Sequence, residues 1–153
     1  MVAADGAIDL LVGLELTQDN INEKHTMNVY RISILVTDLA KAKDFFVNIF
    51  GFEVIQDEMV TSQKRIIRVQ PKNSNTPFHL ALPQNGEERL IGQQGGNRAL
   101  VILETEDIAS LTEKFKSHAV KIIKPLKTAP FGKVILVEDL VGNKWEFVER
   151  FNS

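Results

Sequence analysis

The sequence predicts an α+β fold made of two tandem βαβββ modules, in which each mixed sheet is backed by one helix. The first observation behind this prediction is an internal repeat. Residues 31–40 align with residues 100–109 at a constant offset, since 107 − 38 = 69. A repeat that holds a strand, a helix and three more strands is too long for one solenoid rung and fits half a domain. Neither half could bury its apolar face alone, so we expect the two curved sheets to pair around a cleft.

The second observation is that the repeat continues to the end of each module. Phe78-His79-Leu80 matches Trp145-Glu146-Phe147 at an offset of 146 − 79 = 67. At the same offset, residues 67–70 match residues 134–137. The equivalent positions that differ between the copies, such as His79 and Glu146, are the candidates for function.

Composition limits the class of protein. The chain has 153 residues, 44% of them hydrophobic and 25% charged, which is typical of one soluble domain with a real core. A net charge of −2 does not favour nucleic acid as a partner. No apolar run approaches the roughly 20 residues needed to span a bilayer. The absence of cysteine excludes disulfides and thiolate chemistry. We therefore expect a cytoplasmic protein without a membrane partner.

The repeat divides the chain into an N-terminal extension, residues 1–26, and one domain, residues 27–151. The modules span about residues 28–83 and 98–150, and residues 84–98 connect them. In the extension, four apolar residues (Ala7, Leu10, Leu11 and Leu14) recur at helical spacing. A docked helix and a mobile tail remain open alternatives for this segment.

The first module begins with a strand that is rich in β-branched residues. Thr37 or Asp38 is a good N-cap for the helix that follows, and Gly51 is suited to close it. Apolar residues at helical spacing, including Phe45 and Phe46, predict the buried side of that helix. The predicted strands are 29–36, 52–55, 65–70 and 78–82.

The second module repeats this order, with Thr105 or Asp107 as the N-cap and Phe115 on the inner side of the helix. Residues 139–143 predict a hairpin turn, because Gly and Asn tolerate positive φ and Asp can bond its own backbone. Trp145 should point away from Glu146 and pack against a helix. The predicted strands are 100–104, 120–123, 133–137 and 144–148.

Several of these segments resemble the vicinal oxygen chelate superfamily, which includes glyoxalase I, bleomycin-resistance proteins, fosfomycin-resistance enzymes and extradiol dioxygenases. The resemblance covers about residues 28–150 and implies a glyoxalase-like fold. It also implies a homodimer, and it leaves open whether the modules pair within one chain or between two. The matching segments are 34–39, 45–46, 50–52, 130–132 and 139–147.

In the metal-dependent members of this superfamily, four positions supply the ligands, and the resemblance carries these onto Arg31, His79, Leu100 and Glu146. Only His79 and Glu146 could bind a divalent metal in the usual way. Arg31 offers no lone pair, and Leu100 has no donor atom. We therefore expect no metal cofactor, with a weak site at His79 and Glu146 as the alternative.

Strand alternation extends the predicted ligand site. If Arg31 faces the cleft, so does Ser33, while Ile102 and Glu104 accompany Leu100. Arg31 in a cleft is costly unless it has a partner, so we predict either an ion pair with Glu146 or an anionic ligand. The predicted ligand-binding residues are Arg31, Ser33, His79, Leu100, Ile102, Glu104 and Glu146.

Three functions are compatible with the sequence. The first is a small-molecule-binding protein of the bleomycin-resistance type, with an apolar cleft and a few charges. The second is a metal-dependent lyase, isomerase or dioxygenase with a degenerate ligand set, in which Glu104 would join His79 and Glu146. The third is a structural or regulatory dimer with a collapsed cleft.

Overall fold

The computed structural model describes residues 26–152, which form two βαβββ modules in the predicted order. Residues 7–14, for which a docked helix and a mobile tail were the alternatives, lie outside the described residues. A short 3-10 helix, Glu88–Leu90, lies in the connection between the modules. The elements are β1 (Ile32–Leu35), α1 (Leu39–Asn48), β2 (Glu53–Met59), β3 (Arg65–Gln70), β4 (Phe78–Ala81), β5 (Val101–Glu104), α2 (Ile108–Ser117), β6 (Ile122–Ala129), β7 (Gly132–Glu138) and β8 (Lys144–Arg150).

Each module forms one four-stranded mixed sheet. The N-terminal sheet has the order β1-β4-β3-β2, and the C-terminal sheet has the equivalent order β5-β8-β7-β6. In both sheets the first and last strands of the module are parallel neighbours, and the other pairs are antiparallel. The fold prediction of an α+β, glyoxalase-like architecture is confirmed.

Both helices begin at the predicted aspartates. The carboxylate of Asp38 accepts a hydrogen bond from the backbone N–H of Lys41 at 3.0 Å. Asp107 accepts the backbone N–H of Ser110 at the same distance and its hydroxyl at 2.7 Å. These bonds satisfy N–H groups that the first helical turn leaves without a partner.

The two helices end in different ways. Gly51 has a φ of +75°, which glycine adopts without a steric penalty. After α2, the residue with positive φ is Ala119, at +53°, which is unfavourable for a side chain. The end of the second helix therefore carries a small backbone strain that the end of the first helix avoids.

An aromatic cluster joins the modules. Trp145, which is fully buried, lies 5.5 Å from the ring of Phe46 and 5.3 Å from that of Phe78. Phe50 contacts Phe147 at 5.2 Å between ring centroids. Rings of both modules thus share one core on the helix side of the sheets, as predicted for Trp145 and the helical phenylalanines.

Strand β6 is longer than the sequence predicted. The expected strand ended at residue 123, but the observed one continues to Ala129 and contains Pro125. The pairing with β7 shifts register between Ile122 and Lys124 and again between Lys124 and Lys127. Proline is tolerated here because β6 is an edge strand, where one backbone side needs no partner. Because lysine and proline are not typical of strands, the sequence did not predict the part of β6 after residue 123.

Candidate functional site

Each sheet has one face covered by its helix and one open face, and the open faces carry most of the predicted ligand-binding residues. On the N-terminal open face, Ser33, His79, Arg68 and Gln56 lie side by side across four strands. The Nε of Arg68 donates a hydrogen bond to Oε1 of Gln56 at 2.7 Å. This row places two of the predicted residues, Ser33 and His79, next to each other.

Arg31 lies at the start of this face and shares an aromatic ring with Arg68. The Arg31 guanidinium carbon is 5.8 Å from the centre of the Tyr30 ring, and that of Arg68 is 5.2 Å from it. Such contacts orient a guanidinium and leave its N–H edge available. Neither arginine forms an ion pair within residues 26–152.

His79 is held in its neutral form by its surroundings. Burial lowers the pKa of its imidazole, and the positive charges of Arg31, Lys64 and Arg68 lower it further. The ring lines a cavity of about 320 Å³ at the strand ends, together with Met59, Lys64 and other residues. A neutral imidazole can both donate and accept hydrogen bonds at this position.

The C-terminal open face has the equivalent row but a different chemistry. Ile102, Glu146, Leu136 and Lys124 lie side by side across its four strands. A cavity of about 160 Å³ opens here over the apolar side chains of β7, with Glu146 in its lining. This face therefore combines an apolar floor with a few charged groups.

Two predicted residues of the second module have other contacts. Glu104 accepts a hydrogen bond from Nε of Arg150 at 2.8 Å, and both side chains are more than half exposed. Leu100 lies just before β5, where it is half-buried and packs against the hydrophobic core. Its place in the ligand site stays a prediction.

The connection between the modules holds the two sheets in place. The side-chain amide of Gln94 accepts the N–H of Leu35 at 2.7 Å and donates to the carbonyl of Ser33 at 2.9 Å. It thereby satisfies part of the outer edge of β1. The Gln94 N–H donates to Oδ1 of Asn143 in the hairpin turn before β8. Gly92 also lies against this turn, where a Cβ atom would meet the Val141 carbonyl at 2.1 Å.

The cavities of His79 and Glu146 are separate within one chain. The cavity that contains His79 and the cavity that contains Glu146 share no lining residue. Neither Arg31 nor Glu146 has an ion-pair partner within the described part of the chain. The ion pair predicted between them is therefore not formed inside a single chain.

Arg68 lies beside His79 on the N-terminal open face, and the sequence comparison missed it as a candidate. In the alignment of the repeat, β3 matches β7 at an offset of 67, so Arg68 aligns with the buried Ile135. In the sheets, Arg68 pairs with His79 and Leu136 pairs with Glu146. Arg68 therefore corresponds to Leu136, at an offset of 68. A slip of one residue exchanges the two faces of a strand. The alternation of buried Ile67 and Val69 around Arg68 was the signal that could have found it.

Comparison with known proteins agrees with this architecture. The family described as the Glyoxalase/Bleomycin resistance protein/Dioxygenase superfamily matches residues 25–147. The chain belongs to this superfamily. An uncharacterized protein of Shewanella frigidimarina is 31% identical over 125 residues, which cover 80% of this chain and 93% of the relative.

Two solved structures illustrate the range of the fold. TnmS3, an antibiotic binding protein from Streptomyces sp. CB03234, has a TM-score of 0.66 and 23% identity, covering 83% of this chain and 98% of TnmS3. The fosfomycin resistance protein FosX from Listeria monocytogenes has a TM-score of 0.61 and 18% identity, covering 82% and 95%. At these identities the likeness concerns the fold alone.

The donor set that the resemblance implies does not suit the metal of the metal-dependent superfamily members. By that correspondence, two of the four ligand positions hold the guanidinium of Arg31 and the alkyl chain of Leu100, neither of which offers a lone pair. Glu104, the third donor considered, is engaged by Arg150. Within residues 26–152 no group of three or more His, Cys, Asp or Glu side chains could hold a metal ion.

The described helices give no sign of membrane insertion. Helices α1 and α2 have 10 residues each, and no helix within residues 26–152 is long and apolar enough to cross a membrane.

Proposed function

We propose that this protein binds a small molecule at the open faces of its sheets without a catalytic metal. The observation that carries the proposal is that His79 and Glu146 each line an open cavity, while the other two positions that the resemblance assigns to metal ligands hold Arg31 and Leu100. An apolar floor with a few oriented polar groups is the usual construction of a ligand pocket. The antibiotic-binding activity named for TnmS3, which shares the fold, supports binding as the function of this chain.

We further propose that the site is completed by a homodimer. Ile102 and Phe131, which border the C-terminal open face, are 62% and 56% exposed in a single chain. Ile102 lies on β5, one edge strand of its sheet, and Phe131 lies in the turn between β6 and β7. Apolar edges and faces of this kind are usually covered by another chain. In a symmetric dimer, the N-terminal face of each copy would meet the C-terminal face of the other.

This arrangement would bring Arg31 of one copy opposite Glu146 of the other. Glu146 and an anionic ligand are then the two alternative partners of Arg31. Light scattering at micromolar concentration should give the mass of two chains, and a monomer mass would contradict the dimer. Replacing Arg31 with Leu and Glu146 with Leu, singly and together, decides between the two partners: an ion pair between chains would give a coupling energy of about 1–3 kcal/mol in dimer stability, and an arginine that serves a ligand would give none.

The binding function is tested by ligand-induced stabilisation. A panel of small aromatic and amphipathic compounds should include some that raise the melting temperature, and the rise should grow with concentration. A panel without any saturable binder would support a collapsed cleft instead. Elemental analysis of protein purified without chelator distinguishes the metal-dependent alternative from metal-free binding. About one tightly held divalent metal per chain would contradict the proposal.

A further inference from the structure

The N-terminal open face carries an excess of positive charge. Arg31, Lys64 and Arg68 all lie close enough to His79 to lower the pKa of its imidazole. None of the three forms an ion pair within residues 26–152. Like charges in proximity raise the free energy of the empty site, and an anion that reaches them relieves this repulsion.

Two glutamates of β2 lie near this face without pairing with its arginines. Glu58 accepts a hydrogen bond from the side-chain amide of Gln56, and Glu53 accepts one from that of Gln70. Strand β2 is next to the strand of Arg68 and is the far edge strand from Arg31. Within residues 26–152 neither glutamate forms an ion pair with Arg31 or Arg68, so the three cations outnumber these two carboxylates.

The two guanidinium groups are oriented before any ligand arrives. Both contact the ring of Tyr30, and Gln56 fixes the Nε of Arg68. Their remaining N–H groups point to no acceptor within the described residues. Paired N–H donors in a planar fork match the oxygen atoms of carboxylates, phosphonates and sulfonates.

The C-terminal open face supplies the complementary apolar surface. Its cavity has a floor formed by Val134 and Leu136, which are 7% and 8% exposed, and Phe131 at its border. Lys124 and Lys127 also line it, whereas Glu146 is the one acidic residue in its lining. In the proposed dimer this apolar floor would face the arginines of the other copy.

We infer that the ligand is an organic anion, with a carboxylate, phosphonate or sulfonate group on an apolar body. The inference rests on the proposed binding function and adds the chemical class of the ligand. The anionic group would bind Arg31 and Arg68, and His79 would donate or accept one hydrogen bond. The apolar body would lie over Val134 and Leu136.

The test compares two probes that differ in one group. 8-Anilino-1-naphthalenesulfonate is an anion with an apolar body, and N-phenyl-1-naphthylamine is the same body without the sulfonate. Titration followed by probe fluorescence, with stoichiometry from calorimetry, should show at least about tenfold tighter binding of the sulfonate at low salt. Its affinity should fall as salt is added, whereas that of the neutral probe should not.

The arginine variants identify the groups responsible. Arg31→Gln and Arg68→Gln should each weaken sulfonate binding about tenfold and leave binding of the neutral probe unchanged. Unchanged neutral binding also shows that the variant is folded. Arg31→Lys should recover only part of the affinity, because an ammonium lacks the planar fork. Lys41→Gln, which removes the same charge from the exposed side of α1, is the matched control and should have no effect.

Two results would overturn the inference, and they differ in what else they affect. If both probes bind equally and the arginine variants change neither, the ligand is not an anion, while the binding function stands. If neither probe binds saturably with a defined stoichiometry, both the inference and the binding function fail. A sulfonate preference that also disappears in Lys41→Gln would indicate general charge attraction and would equally refute the site.

Discussion

Asp139 accepts four hydrogen bonds inside the turn that positions β8, and its removal should be costly. The side chain belongs to a residue that is 7% exposed. Its Oδ1 accepts the N–H groups of Val141, Gly142 and Asn143, each at 3.0 Å. Its Oδ2 accepts Nε1–H of Trp145 at 2.9 Å. Burial raises the pKa of this carboxyl, while hydrogen bonds from Trp145, Val141 and Asn143 act in the opposite direction.

Replacing Asp139 with Ala leaves the N–H groups of Val141, Asn143 and Trp145 without this acceptor, whereas the N–H of Gly142 keeps the backbone carbonyl of residue 139 at 3.2 Å. A buried donor that loses its partner costs about 1–3 kcal/mol, and the costs of neighbouring groups are not additive. We therefore expect the free energy of unfolding to fall by about 3–5 kcal/mol. Asp107→Ala, the matched control, removes an aspartate whose bonds to the helix N-terminus are exposed, and it should cost clearly less because water can replace them.

Asp139→Asn isolates the bond to the indole. The amide oxygen can still accept the backbone N–H groups, but the amide nitrogen then faces Nε1–H of Trp145 as a second donor. The expected cost is about 1–3 kcal/mol. In a double-mutant cycle with Trp145→Phe, the coupling energy should be about 1–2 kcal/mol, because the introduced amide no longer opposes a donor once the indole is removed.

Urea unfolding followed by far-ultraviolet circular dichroism measures these energies, at one protein concentration because the protein is proposed to be a dimer. Fluorescence is less suitable, since the variants alter the surroundings of Trp145. The reasoning would be refuted if Asp139→Ala cost no more than Asp107→Ala. A coupling energy of zero would show that the bond to the indole contributes nothing.

Three further predictions concern the strain and the charges of the fold. Ala119→Gly should stabilise the protein by about 0.5–1 kcal/mol in urea unfolding, because glycine relieves the positive φ. Arg65 and Lys43 hold the pKa of the Asp57 carboxyl well below its usual range, so the ionised form is favoured in the folded state. The resulting stability, about 1 kcal/mol at this partly exposed site, is present above pH about 4 and is lost as the pH falls further. Arg31→Gln should raise the pKa of His79 in an NMR titration, because one of its positive neighbours is removed.

Each of these predictions has an outcome that contradicts it. Gly51→Ala is the control for the strain argument, since no atom lies within 4 Å of the added Cβ and only the backbone is strained; it should destabilise, and Ala119→Gly should not. A pH profile of stability that is the same for Asp57→Asn and the unaltered protein would contradict the ion pair. For His79, whose folded pKa is lowered, stability should decrease as the pH falls below about 6.5. An imidazole pKa that is unchanged by Arg31→Gln would show that the two residues do not interact.

Sequence periodicity was sufficient for the elements that depend on local chemistry. Asp38 and Asp107 were predicted as caps because an aspartate before an amphipathic run satisfies the first N–H groups of a helix. The turn at Asp139 followed from the same kind of local bonding. The repeat then extended these local assignments to two modules of the same topology.

Strand β6 and the neighbours of Arg68 depended on partners that the local sequence does not show. Lys124, Pro125 and Lys127 do not resemble a strand, yet an edge position beside β7 accommodates them through two register shifts. The strand pairing relates β3 to β7 at an offset of 68 residues, whereas the alignment of the repeat predicted 67. Only the pairing of Arg68 with His79 across the sheet established which face this arginine occupies.

By itself, the sequence determined that the chain has two βαβββ modules, because residue types and spacing are enough for that conclusion. That Arg31 and Leu100 stand at metal-ligand positions is what the resemblance to the superfamily implies. The tertiary structure decided that His79 and Glu146 line separate cavities in one chain and that Arg31 and Arg68 share the ring of Tyr30. These facts depend on how the shared aromatic core orients the modules and on contacts between residues far apart in the chain, which no local pattern encodes.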